Sequence, residues 1–123
     1  MSLSTISIIL QLIVGGGLLN VWLLRAQSPT AYRGGGAQSL QEEFSTYGLP
    51  VWFFYLTGFL KIGSAILLLG GIVLQVLVQP GASIVVGLML GAIAMHIKVG
   101  DEPMKSMPAT LMLLMSLAIL YLN

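Results

Sequence analysis

The chain has 123 residues, of which 57% are hydrophobic and only 7% charged, and its formal net charge is +1. A soluble domain carries about 25% charged residues, so this chain has too few to cover a water-facing surface, and a charge so close to zero offers no basic patch for nucleic acid. The lack of cysteine excludes disulfides, thiolate metal sites and dithiol redox chemistry.

The apolar runs approach or exceed the ~20 residues that cross a hydrocarbon core as a helix. They lack the period-two alternation of a transmembrane barrel and are far longer than its ~10-residue segments. The expected fold is therefore all-α, a transmembrane four-helix bundle forming one membrane domain over residues 1–123. With a single His and four carboxylates, all of them in connecting loops, a metal site built inside the bundle is not expected. No cofactor is identifiable; a group held by shape, such as a lipid or quinone, is compatible with the composition.

The first span is expected over about 3–24. No Lys or Arg precedes it and no small-x-small site follows it, so a retained helix is expected rather than a cleaved signal. Gln11 and Gly15 share one face and suit packing against another helix, while Gly15, Gly16 and Gly17 could mark a kink. Trp22 and Arg25 stand where an aromatic belt and a charged anchor belong. Residues 25–48 form a polar loop with turn chemistry at Ser28-Pro29 and Gly34-Gly35-Gly36. Within it, Ser39-Leu40-Gln41-Glu42 fits a capping box, and Leu40, Phe44 and Tyr47 recur at helical spacing up to Gly48. A short interfacial helix is expected there, either an ordinary loop helix or a lid over the helix ends.

Pro50 suits the first turn of the second span, expected over 50–71. Gln79-Pro80-Gly81 predicts a tight turn, followed by a third span over 82–99. There Ser83, Gly87 and Gly91 form a small-residue stripe, grouped with Gly58 as helix-packing positions. Gly100-Asp101-Glu102-Pro103 turns the chain into a fourth span over 106–122, short unless it starts near Met104. Four spans put Arg25, Arg33, Lys98 and Lys105 on one side and no Lys or Arg on the other. Both termini are therefore expected outside the cytoplasm.

Lys61 lies roughly 16 Å along the second helix from Pro50, near mid-bilayer. A central Lys costs about 2.5 to 3.5 kcal/mol on insertion scales, so it needs company or an escape route. Its helical neighbours Thr57, Gly58, Ser64 and Ala65 make a small, weakly polar face. Side chains lean toward the helix N-terminus, which carries Lys61 toward the half of the membrane that holds His96 and the loop carboxylates. The candidate polar pocket is thus Lys61, His96, Thr57, Ser64, Asp101 and Glu102. Three uses compete for it: a lysine paired with a loop carboxylate as a structural lock, a pocket for a lipid headgroup, quinone or small anion, and a proton-relay or catalytic lysine. The lock is the expected one. No catalytic residue is assigned.

Gly48-Leu49-Pro50, then Gly58-Phe59-Leu60-Lys61-Ile62-Gly63-Ser64-Ala65 with Leu67-Leu68-Leu69, and later Gly91-Ala92 leading to His96 and Gly100-Asp101, together resemble the DoxX-like membrane proteins. The resemblance runs in order over nearly the whole chain and implies a four-helix membrane bundle. In many members the charged position is acidic, whereas here it is Lys61. The resemblance also implies association with membrane redox assemblies, such as thiosulfate:quinone oxidoreductase and terminal oxidases. The expected function is accordingly a non-catalytic accessory or assembly subunit of a larger respiratory or photosynthetic complex. Its expected partners are the lipid bilayer and other membrane subunits, or further copies of itself. The alternative is a quinone- or lipid-binding component of a membrane oxidoreductase that uses a Lys61/His96 pocket.

Overall fold

The computed structural model describes residues 2–24 and 39–123. The turn residues Ser28-Pro29 and Gly34–Gly36, and the cations Arg25 and Arg33, lie outside the described residues. Five α-helices follow in order: α1 (Leu3–Leu19), α2 (Leu40–Thr46), α3 (Val51–Gly70), α4 (Val78–Lys98) and α5 (Met107–Leu122). A π-helical turn, Asn20–Leu24, prolongs α1, and 3-10 turns at Gln75–Leu77 and Pro103–Ser106 lead into α4 and α5. Four of the resulting segments are long and apolar enough to cross a membrane, at Leu3–Leu23, Val51–Gly70, Gln75–Lys98 and Pro103–Leu122. The chain is an all-α multi-pass membrane bundle.

Its core is made of small and branched residues from all four long helices, among them Val14, Leu18, Ala65, Leu68, Ala82, Val85, Ala109 and Ile119. At one end, polar side chains tie the helices together. Gln11 donates from Nε2 to the Leu68 carbonyl at 2.8 Å and accepts from Ser7 Oγ at 3.1 Å. Asn123 Nδ2 donates to Ser7 Oγ at 2.6 Å, and Gln75 Nε2 donates to Asn123 Oδ1 at 3.2 Å. The N-terminal end of α1, the C-terminal end of α5 and the α3–α4 connection therefore share one end of the bundle.

One departure from sequence expectation shapes the fold. Gln79-Pro80-Gly81 is not a turn; the three residues lie in the first turn of α4, which begins at Val78. A proline in a helix's first turn forfeits no hydrogen bond, because those N–H groups have no intrahelical acceptor. Gly81 is needed instead for close approach, since a Cβ there would sit 3.0 Å from Leu67 Cβ. The chain reverses earlier, through Gly71–Leu74, where Val73 and Leu74 bond back to the Gly70 carbonyl at 3.0 and 2.9 Å. The stripe of Ser83, Gly87 and Gly91 lies outside the core. All three are exposed, and a Cβ on Gly87 or Gly91 would meet nothing within 4 Å, so among the described residues no helix packs closely on these two glycines. Gly58 does serve close packing, for a Cβ there would stand 2.6 Å from Trp22 Cζ3.

Candidate functional site

At the end opposite the Ser7–Asn123 network, α2 lies over the ends of α1 and α3. The Ser39 side chain caps α2 by accepting from Glu42 N–H at 3.2 Å. The helix stops at Gly48, whose φ of +78° suits glycine. The Gly48 and Leu49 N–H groups return to the carbonyls of Ser45 and Phe44, each at 3.0 Å, which is a Schellman closure. That closure folds Leu49 back toward Phe44. Phe44 then packs edge-on against Trp22 and Phe54, with centroids 6.2 and 5.4 Å apart, and the three rings anchor α2 to α1 and α3.

Beneath α2 lies a cavity of about 240 Å³. Its lining comes from three helices: Glu43, Phe44 and Tyr47 with Leu49 above, Phe53, Thr57 and Lys61 along α3, and Gly87, Leu88, Gly91, Ala92 and Met95 along α4. The α3 set recurs every four residues, so one helical stripe presents Phe, Thr and Lys at successive depths. Polar groups gather around Lys61, Glu43 and Thr57, and the remaining walls are apolar. The Lys61 ammonium lies over the Trp22 ring, 5.5 Å from its centroid. Such a contact is worth about 0.5–1 kcal/mol when exposed and about 2 kcal/mol or more when desolvated. It offsets a good part of the cost of a lysine at this depth. Glu43 is buried and accepts from the Tyr47 hydroxyl at 2.6 Å, a length typical of a hydroxyl donating to a carboxylate.

His96 and Asp101 make a separate clasp. Gly100, at φ +72°, ends α4 with the same closure, its N–H reaching the Ile97 carbonyl at 3.1 Å and that of Asp101 the His96 carbonyl at 3.0 Å. The turn brings Asp101 Oδ2 to 2.8 Å from His96 Nδ1, and both side chains are 7% exposed. The imidazole meets the Tyr47 ring edge-on, with centroids 6.0 Å apart. Neither His96 nor Asp101 lines the cavity.

The pocket drawn from the sequence is thus divided. Lys61 and Thr57 face the cavity. Ser64 is fully buried elsewhere, its hydroxyl donating to the Lys61 carbonyl at 2.9 Å. Tyr47 stands between the cavity and the His96–Asp101 clasp, and Glu102 is exposed at the start of the Pro103–Ser106 turn. Sequence reading counted Glu43 among the loop carboxylates at this end without placing it in the pocket, and it missed Tyr47 and Trp22 as neighbours of Lys61. The only signal for Tyr47 and Glu43 was their four-residue spacing on an amphipathic helix, which does not say what that helix covers.

Four long apolar helices, with a cavity lined by Lys61 among them, define a multi-pass membrane bundle. The chain belongs to the DoxX-like family, whose family model matches residues 10–119, most of its length. Comparison with curated proteins and with solved structures found no match in either set.

Proposed function

We propose that this protein is a membrane-embedded binding subunit whose cavity holds the polar head of a lipid-phase amphiphile, a lipid headgroup or a quinone ring, against Lys61. One observation carries the reading: the lysine within the span lines a cavity of about 240 Å³ together with Glu43 and Thr57. An engineered apolar cavity of about 150 Å³ takes up benzene, so this space accommodates a substituted ring or a compact headgroup. Apolar walls with a few convergent polar groups are the usual make-up of a small-molecule site. Lys61 would supply a charged hydrogen-bond donor and Thr57 a hydroxyl, while Phe53, Leu88 and Met95 would hold the apolar part.

The test is to purify wild-type and Lys61→Met protein in mild detergent and analyse the organic extract by mass spectrometry. Loss of one stoichiometric component from the variant, with the fold intact by circular dichroism, is expected. Phosphate in that component marks a lipid, and a redox-sensitive ultraviolet band marks a quinone. An identical extract from both proteins would overturn the reading.

A second reading, a non-catalytic accessory or assembly subunit of a larger redox complex, draws on how little of the described chain lies outside the spans: α2 and short turns. In α5 only 17% of the membrane window is buried, against 28% in each of the other three, which leaves a broad face for neighbours. Native electrophoresis after gentle solubilisation is expected to show a species heavier than the chain. A monodisperse particle of bare protein mass in every detergent tried would end that reading.

A further inference from the structure

We propose that Gly87 and Gly91 are the specificity-determining floor of the cavity. In this reading the missing side chains let one flat ring or one hydrocarbon chain slide in from the bilayer and lie against the α4 backbone. The inference rests on the binding reading above and adds the route and the thickness limit.

Both glycines line the cavity and both are exposed on a membrane-spanning helix, so the cavity opens toward lipid there. Neither is required by backbone geometry, for among the described residues only Gly48 and Gly100 have positive φ. Neither is required by packing among the described residues, because a Cβ on either would meet nothing within 4 Å. Glycine is a weak helix former beside alanine, so two of them on the wall of a cavity are best explained by the space they leave. A second copy of the chain is the competing occupant. The cavity wall beside the glycines carries the polar groups of Glu43, Thr57 and Lys61, which an apolar helix face would leave unused. An amphiphile brings its own hydrogen-bonding head to that end.

The test uses Trp22, whose ring lies 5.5 Å from the Lys61 ammonium. With Trp52→Phe removing the other of the two tryptophans, Trp22 fluorescence in detergent micelles is titrated with decylubiquinone and, separately, with brominated-chain lysophosphatidylcholine. Saturable quenching by at least one probe is expected. Gly91→Leu and Gly87→Leu should each raise the apparent Kd at least about ten-fold without lowering Tm. Gly63→Leu is the matched control: Gly63 also has nothing within 4 Å of a Cβ, but it does not line the cavity. It should bind like the parent. Parent-like binding by both leucine variants overturns this inference and leaves the binding reading standing. So does a Gly87→Leu or Gly91→Leu variant that changes oligomeric mass by light scattering while its Kd stays put, which would make the stripe a contact between copies. No saturable quenching by either probe overturns both.

Discussion

Trp22 is the side chain on which the site converges, because it touches Lys61, Phe44, Phe54 and the bare backbone of Gly58. A methyl group on Gly58 would stand 2.6 Å from Trp22 Cζ3 and 3.0 Å from Cε3, and an indole wedged against two other rings has little room to retreat. Overpacking of this kind costs about 1–3 kcal/mol. Gly58→Ala is expected to lower Tm and, in the Trp52→Phe background, to shift the Trp22 emission; wild-type melting with an unchanged spectrum would show that the indole is looser than it looks. Ser116 gives the opposite case. It is fully buried and its hydroxyl has no hydrogen-bond partner, so Ser116→Ala should stabilise the protein by about 1 kcal/mol. Ser64→Ala, which removes the bond to the Lys61 carbonyl, should destabilise it by a similar amount. Thermal melts of the two variants in one detergent decide, and equal shifts of the same sign would refute the assignment. At this scale the sequence revealed Lys61 and Thr57, since a charge inside an apolar run and its i−4 neighbour are visible from helical periodicity alone. It put Glu43 at the same end but could not single it out from the other loop carboxylates, because Glu43 reaches the cavity from a helix 18 positions earlier and no local pattern encodes that contact.

Helix ends, more than helix faces, decide how the elements assemble. α2 and α4 stop with the same hydrogen-bonded closure, and each closure places a side chain: Leu49 back toward Phe44 in one, Asp101 onto His96 in the other. A non-glycine residue in the left-handed region costs about 1–2 kcal/mol, so Gly100→Ala should destabilise by that amount and loosen Asp101 from His96. Asp101→Ala removes the same clasp from its other side. The double variant is therefore expected to lose less than the sum of the two single losses, measured by thermal unfolding; strict additivity would mean that the glycine does not position the carboxylate. The existence and number of the spans were legible because a long apolar run has one physical use in a bilayer. The α3–α4 boundary was not. Pro80-Gly81 has the composition of a turn, yet the proline sits where a helix has no hydrogen bond to lose and the glycine where α4 presses on Leu67. The stripe Ser83, Gly87 and Gly91 was equally ambiguous, because small residues where helices meet and small residues on a cavity wall, where Gly87 and Gly91 lie, have the same spacing.

Across the whole molecule the charges gather at one of the two ends. The Ser7–Gln75–Asn123 end is held by neutral hydrogen bonds, and no Lys or Arg occurs in residues 2–11, 71–82 or 107–123. The other end carries Lys98, which donates to the Tyr47 carbonyl at 3.2 Å, and Lys105, and the chain joining α1 to α2 contributes Arg25 and Arg33. Cations in short loops are retained on the cytoplasmic side, so the α2 end, with the Lys61 cavity beneath it, should face the cytoplasm. A reporter fused at the C-terminal end should then be active only if it functions outside the cytoplasm. The rule also supplies a sharper test. Val73 and Val76, 84% and 80% exposed beside the α3–α4 connection, can carry lysines without disturbing the core. Val73→Lys with Val76→Lys should send a measurable fraction of molecules in with the opposite orientation, and adding Arg33→Gln should raise that fraction. If the fusion reports a cytoplasmic C-terminus in the parent and the added lysines merely strengthen that signal, the cavity opens toward the other face of the membrane, and any water-soluble partner of the Lys61 site must be sought there.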